Sequence, residues 1–510
     1  MNKIFILLLI LFCGIFLAAA IRGINGNPSS AELNTYKWKE GGPLELSPER
    51  GRFALLYSLG EDRSFQFSDN IGKFAEPDVA ITKDGKYASL FAPLLSFVAT
   101  PGYIIGKFFG ASQVGAFAVV SLFAIFNVLL IRLISVRLGA SYIAATLGSL
   151  VFLFATPAFA YGVNLYQHHI STFLILLSIY ALLKSEKAWS LIVVFFLCAA
   201  AIPLDYPNLF FMFPIGIFAL GRIISFESIK TKLSVKLSLF KIFTPLVMII
   251  PILFFLWFNQ ASYGNPFQLS GTLQTPKDIQ NSKDLSALSD SLNPLKEEGQ
   301  KTAIGSFKTR YLINGFYIHI MSPDRGIIYY TPVVLFGIVG FILALRKKVR
   351  MTPVLIAIIG ANILLYSMWG DPWGGWAFGS RYLIPSYAIL SIFIALLLTF
   401  WREKYFLMPI FALIAFYSIL VNTLGAITTS ANPPQVEVLE LEKLSGTVQK
   451  YTYERNWDFL LTGHSKSFVY QTFLKDYIST FWFYFSIAIS ICAVVTLLLI
   501  ANFWPKKEGR

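Results

Sequence analysis

Residues 90–109 read LFAPLLSFVATPGYIIGKFF, and how this stretch is counted decides the fold. On hydropathy alone it is a membrane span. Counted so, it moves every later loop to the opposite side of the membrane. Pro93 and Pro101-Gly102 interrupt it, and Lys107 sits near its end. A proline inside a helix removes a backbone hydrogen bond and kinks the chain. The stretch therefore reads as a proline-broken amphipathic element lying in the outer interface.

With that choice, twelve apolar runs alternate across the bilayer from a cytoplasmic N-terminus: residues 4–21, 112–136, 141–160, 167–183, 188–204, 206–222, 242–259, 327–345, 351–369, 382–400, 405–425 and 480–503. A spanning helix takes roughly 17–25 residues. The short loops 184–187, 222–241, 346–350 and 402–404 and the tail 506–510 then fall on one side, and all are rich in Lys and Arg. Such loops face the cytoplasm. Of the 28 acidic residues, only Glu186, Glu227, Glu403 and Glu508 lie with them. The other carboxylates occupy the outer face, and chemistry that needs carboxylates is expected there. The first run ends in Ala18-Ala19-Ala20, which also fits a signal-peptide processing site; cleavage would leave the later alternation unchanged.

Composition agrees with this class. The chain of 510 residues is 55% hydrophobic, 16% aromatic and 14% charged, with a mean hydropathy of +0.62. Soluble domains carry about a quarter charged residues. The net charge of +14 is topological, so no nucleic-acid partner is expected; the basic loops set orientation and touch anionic lipid. Cys13, Cys198 and Cys492 all lie in apolar runs, with neither a disulfide framework nor a metal-type spacing. The fold expected is an all-α integral membrane bundle of about twelve helices. Its catalytic module covers residues 1–425, with outer segments at 22–111 and 260–326. A third outer segment covers 426–479, and residues 480–510 supply the last span and a basic tail. Residues 277–301 are polar and read as mobile. No internal repeat is visible.

Particular motifs stand on the outer side. LSPERGRFALLYSLGEDRSF begins at Leu46 and EPDVAITKDGKYASLFAPLLSFVATPGYIIGKFFG at Glu76. Together they resemble the first outer loop of lipid-carrier-dependent membrane glycosyltransferases of the GT-C type. That class includes protein O-mannosyltransferases and the lipid A aminoarabinose transferases. Its members place an acidic motif after the first helix, then a Tyr, a proline-containing interfacial helix and a Phe-Gly end. Glu49-Arg50-Gly51-Arg52-Phe53 occupies the acidic motif here, with Glu49 where the family has its catalytic Asp. The chain departs from the pattern in Glu for Asp, in Arg50 where a second acid is common, and in Phe91-Ala92-Pro93 where a Lys-Pro-Pro element is frequent. NLYQHHIS at residues 164–171 resembles a His-bearing start of the fourth span. Asp205-Tyr206-Pro207 resembles a recurrent acid-Tyr-Pro turn. SPDRGIIYYTPVVL from Ser322 and WGDPWGGWAFGSRYLIP from Trp369 resemble a bacterial and archaeal branch of glycosyltransferase-like membrane proteins. The resemblance covers roughly residues 4–400 and requires the first helix to be retained.

The resemblance implies transfer of a sugar from a polyprenyl-phosphate donor to a lipid, glycan or protein acceptor, at the outer face of the plasma or inner membrane. A carboxylate must take the acceptor proton, and cations must stabilise the departing phosphate. Glu49 and Asp78 are the catalytic candidates. Arg52, Asp84, Tyr87, His168, Asp205, Tyr206, Arg325, Trp376 and Arg381 are candidates for substrate contact. Arg381 and Arg325 suit phosphate, because a guanidinium offers two donors in one plane. Each candidate has a plainer reading: Glu49 as a surface acid paired with Arg50 or Arg52, Asp84 as a turn residue, His168 as interfacial packing, Trp376 as part of an aromatic belt, and the arginines as headgroup anchors. No cofactor is fixed by the sequence; a divalent cation is compatible with the chemistry. A transporter or flippase of lipid-linked saccharides is the alternative function, and a non-catalytic scaffold a third. A transporter should carry polar or broken helices at mid-membrane, whereas the spans here are apolar at their centres.

Overall fold

A computed structural model describes residues 3–229, 232–238, 240–276, 278, 305 and 307–504. The chain is an all-α polytopic membrane protein, 68% helical. Each expected span falls on a helix. These are α1 (Lys3–Ala20), α4 (Ser112–Arg137), α5 (Tyr142–Phe154), α6 (His168–Lys184), α7 (Ala188–Ala200), α8 (Asn208–Leu220), α9 (Ile249–Tyr263), α10 (Leu335–Arg346), α11 (Thr352–Ser367), α12 (Ile384–Phe400), α13 (Leu407–Ile427) and α14 (Thr480–Phe503). Two helices outside this set also matter: α2 (Ser47–Tyr57) and α3 (Leu94–Phe108).

Among the described residues, six helical stretches are long and apolar enough by length and composition to cross a membrane. Several of the rest are shorter than the apolar runs that predict them, because prolines cut them. Run 141–160 ends as a helix at Phe154, before Thr156-Pro157. Pro203 and Pro207 bound the turn between α7 and α8. A residue before proline is pushed out of helical geometry. The bundle is built around α12, which is buried on all sides over most of its length.

The two ends of the bundle differ in charge. At one end, Arg350 pairs with Glu186 at 2.9 Å, and Arg222 donates to the Ser185 and Leu182 carbonyls at 2.9 and 2.7 Å. There too Arg402 donates to the Asn502 carbonyl at 2.7 Å. At the other end the acid-rich segments meet. Tyr263 donates to the Ser89 carbonyl at 2.9 Å, Glu45 accepts from the Ser430 N–H at 3.1 Å, and Arg22 bridges to Ser467.

Both ends of α3 lie at this acid-rich end. Leu94 N–H donates to Pro203 at 2.8 Å, and Gly110, just past the helix, accepts from Gly26 N–H at 2.7 Å. At 15 residues the helix is about 22 Å long, short of a hydrocarbon core of about 30 Å. It packs on the first turns of α4, where a Cβ on Gly115 would stand 2.1 Å from the Gly102 carbonyl. Ile104, Ile105, Phe108 and Phe109 are left exposed.

Two small sheets interrupt the helices. β1 (Gln66–Phe67), β3 (Tyr87–Ser89) and β2 (Val79–Ile81) form an antiparallel sheet in that order. On the basic side β4 (Ile224–Ile229) pairs with β5 (Lys232–Leu237) as a hairpin, which the all-helical expectation lacks. The KLSVKL run of β5 alternates polar and apolar residues, a period of two that suits a strand. Apart from Asp278, the stretch 277–301 read as mobile lies outside the described residues.

Candidate active site

Glu49 lies in the first turn of α2, where the helix N-terminus favours an acid. Its carboxylate accepts the Leu46 N–H at 3.2 Å, while Oε1 is buried with no hydrogen-bond partner. Gly51, one turn into α2, lets the segment at 78–91 approach closely. A Cβ there would meet the Phe91 ring at 2.6 Å and the Asp78 carbonyl at 2.9 Å. That approach sets Asp78 beside the helix start, where its Oδ2 accepts from Ser47 Oγ at 2.6 Å. Glu49 and Asp78 thus flank one helix N-terminus.

Two residues that the sequence reading passed over complete this wall. Arg22, directly after α1, is fully buried. It donates to Glu45 Oε2 at 2.6 Å, to Ser430 Oγ at 3.1 Å and to the Gly425 carbonyl at 3.2 Å. Burial works against ionisation of Glu45, but Arg22 and Lys466 outweigh it and hold the carboxyl below its ordinary value. Glu49 behaves oppositely. Burial pushes its carboxyl up to about 7, and Arg22 only partly offsets the burial. A carboxyl titrating there suits proton transfer near neutral pH.

Tyr166 is the hub of the opposite wall. The Arg381 guanidinium lies 4.7 Å from its ring centre, and that of Arg52 lies 5.4 Å away. His168 stacks on the ring at 5.8 Å with planes 11° apart, and Tyr161 meets it edge-on at 5.1 Å. Arg52 also covers Phe91 at 4.2 Å. Next along the chain, Gln167 Nε2 donates to Asp205 Oδ2 at 3.0 Å. Burial raises the Asp205 carboxyl above its ordinary value, against the pull of Gln167, Arg52 and Arg381. Arg381 donates Nη2 to the Gly374 carbonyl at 2.7 Å. Its Nε and Nη1 are buried, with the Tyr166 and Tyr382 phenols against the guanidinium and no carboxylate on it. Gly374 and Gly375 have φ of 73° and 62°, a left-handed backbone that glycine adopts without strain. A Cβ on Gly374 would also stand 3.0 Å from the Tyr382 ring.

The fold therefore links Glu49, Asp78, Arg52, His168, Asp205 and Arg381 through one set of ring contacts and charges. The remaining candidates make their own contacts around this set. Arg325 is buried and donates to the carbonyls of Trp373, Asp324, Gly375 and Asn432. Its planar fork is committed to holding the glycine loop, so the phosphate contact expected of it has no open pair of donors. Trp376 donates to the Glu437 carboxylate at 3.0 Å, and Arg455 lies over its ring. Tyr206 pairs with Ser270 at 2.9 Å, joining two acid-rich segments. The Tyr87 ring packs on Gly72. Asp84 is exposed at the β2–β3 turn. Among the described residues, no hydrogen bond, ion pair or ring contact joins these five to Glu49, Tyr166 or Arg381. His169, adjacent to His168, is structural, with its ring nitrogens near Asn127 and the Ala158 carbonyl. Among the described residues no three His, Cys, Asp or Glu side chains gather as a metal-holding group.

Tyr166 and Gln167 lie inside the NLYQHHIS run, where the histidine pair draws attention first. Arg22 carries a fainter signal: a basic residue directly after a span, on the acid-rich side.

No family model matches the chain, and no curated protein does. Among solved structures the fold is similar to ArnT from Cupriavidus metallidurans in the apo state, at 12% identity and a TM-score of 0.44, over 98% of this chain and 77% of that one. The same enzyme bound to undecaprenyl phosphate gives 11% identity and 0.44, over 99% and 78%. The archaeal oligosaccharyltransferase AglB from Archaeoglobus fulgidus, in complex with an inhibitory peptide and a dolichol-phosphate, gives 12% identity and 0.40, over 99% of this chain and 57% of that one. Likeness at this level is one of overall architecture.

Proposed function

We propose that the chain is a membrane glycosyltransferase that takes a sugar from a polyprenyl-phosphate donor at the outer face of the membrane. The acceptor oxygen or nitrogen, on a lipid, glycan or protein, attacks the anomeric carbon. The bond from that carbon to the phosphate oxygen breaks, and polyprenyl phosphate leaves with the electron pair. Glu49 takes the acceptor proton; Asp78 lies across the helix start and orients the acceptor. Arg381 receives the phosphate, and Arg52 adds positive charge from the other side of Tyr166.

The observation that carries the reading is the pairing of two unsatisfied groups. Arg381 presents a buried guanidinium that meets phenols and a backbone carbonyl but no carboxylate, and the nearby Glu49 has a raised pKa and one unpartnered oxygen. A buried cation with no carboxylate on it seeks an anion, and the planar fork matches a phosphate. The test is direct. Purified protein in lipid is given a panel of radiolabelled polyprenyl-phosphate sugars with membrane extract as acceptor. Label moving from carrier to a new product supports the reading. Label that stays on the carrier across the whole panel contradicts it.

A further inference from the structure

The segment 163–168 connects the two walls of the site. Val163 accepts the Arg22 N–H at 3.2 Å, and His168 begins α6. Four of its side chains are polar or amphipathic and at least nine-tenths buried: Asn164, Tyr166, Gln167 and His168. Together they leave four atoms without a hydrogen-bond partner, both amide atoms of Asn164, Gln167 Oε1 and His168 Nε2, while the Tyr166 hydroxyl lies toward the Arg381 guanidinium. A buried polar atom left unpaired bears its full desolvation penalty, so native chains seldom tolerate a run of them. The neighbouring contacts are already in use elsewhere. Gln167 Nε2 is held by Asp205, and the Tyr166 and His168 rings are stacked on each other. The free atoms therefore need a partner that is itself polar and offers both donors and acceptors.

We infer that this segment is the subsite for the sugar ring of the donor, an inference that rests on the glycosyltransferase reading above. A sugar hydroxyl both donates and accepts, and so matches a mixed set: amide N–H donors and a carbonyl acceptor from Asn164, an acceptor from Gln167 and an imidazole nitrogen from His168. The placement suits the reaction. Arg381, the phosphate contact, lies on the Tyr166 ring, so a sugar joined to that phosphate sits directly beside the segment. The Tyr161 ring, edge-on to Tyr166, adds an apolar surface for a sugar face.

The experiment compares binding of bare polyprenyl phosphate with binding of polyprenyl-phosphate hexose and pentose to the full chain in lipid. Asn164→Ala and His168→Phe are expected to weaken the preferred sugar-bearing lipid several-fold to about tenfold, the loss of one or two neutral hydrogen bonds. They should leave the bare phosphate within about twofold of wild type. Arg381→Ala should weaken both lipids together. Melting temperatures of each variant control for folding, and His168→Phe retains a ring to stack on Tyr166. Equal loss on both lipids, or none on either, overturns the sugar subsite. Wild-type protein that binds the bare phosphate but prefers no sugar overturns the subsite and leaves the phosphate reading standing; wild-type protein that binds none of these lipids overturns both.

Discussion

Arg381 and Tyr166 are in face contact, the guanidinium 4.7 Å from the ring centre, and Arg52 shares the same ring. Two buried cations beside one neutral phenol repel each other, and the ring face offsets part of that cost. Tyr166→Leu removes the ring and should lower stability by about 1–3 kcal/mol, the loss of one or two such contacts. Tyr166→Phe keeps the face and should melt close to wild type. Thermal melting of the two variants in the same lipid checks this; equal losses would mean that the hydroxyl, not the face, supports the cations.

The Glu49 carboxyl titrates at about 7 against an ordinary 4.5, and this sets a pH signature. Between those values the folded protein keeps a proton that the unfolded chain has released. Stability therefore falls as pH rises through that window. The penalty is complete above about 7 and absent below about 4.5. Glu49→Gln cannot ionise, so it should melt above wild type at about pH 8 and alike at about pH 4. Wild-type transfer runs the other way, because a base must be deprotonated: turnover should rise with a midpoint near pH 7. Turnover that is flat from about pH 5 to 8 would remove Glu49 as the base.

Arg22 and Glu45 form a buried pair, their side chains 0% and 8% exposed. The pair ties the end of α1 to the segment at 425–430. Removing one partner of a buried pair typically costs about 3–5 kcal/mol, and Lys466, 3.8 Å from Glu45, offsets part of what Arg22 leaves behind. Arg22→Met is expected to lose stability of that order. Arg22→Met with Glu45→Leu should recover much of it. A double variant no more stable than the single one would show that the packing, rather than the charge pair, is what matters.

The α3–α4 crossing depends on backbone contact. Gly115→Ala would place a methyl 2.1 Å from the Gly102 carbonyl and should cost about 1–3 kcal/mol through forced separation of the helices. At Gly216, in α8, a methyl would meet nothing within 4 Å. Gly216→Ala should be neutral or stabilising by about 0.5–1 kcal/mol, since alanine is the better helix residue. Comparable melting losses at both sites would argue against the close crossing.

The sequence carries the architecture because hydrophobic runs and loop charge are additive signals. All twelve runs fall on helices, and residues 90–109 form a short helix with both ends at the acid-rich end. Helix ends are less legible, since Pro157, Pro203 and Pro207 shorten runs that hydropathy alone extends. The proposed site is only partly legible. Glu49 and Arg381 stand in motifs whose residue types suit the chemistry. Tyr166 cannot be recognised from sequence, because its role comes from Arg52 and Arg381, which lie far from it on either side in the chain. Arg325 misleads for the same reason. Its motif looks like that of Arg381, and only the fold shows that its donors are held by four backbone carbonyls.

The central claim is that Arg381 and Glu49 act together on a lipid-linked sugar. The measurement that tests it most directly is turnover of the labelled donor by wild type, Arg381→Ala, Arg381→Lys and Glu49→Gln, with melting curves to confirm that each is folded. Loss of a contact made to charge in the transition state costs about 2.7–4 kcal/mol, or roughly 10²–10³ in turnover. Arg381→Ala and Glu49→Gln should each fall by about that factor, and Arg381→Lys should recover only part, since an ammonium lacks the two-pronged fork. Near-normal transfer by folded Arg381→Ala or Glu49→Gln would contradict the account.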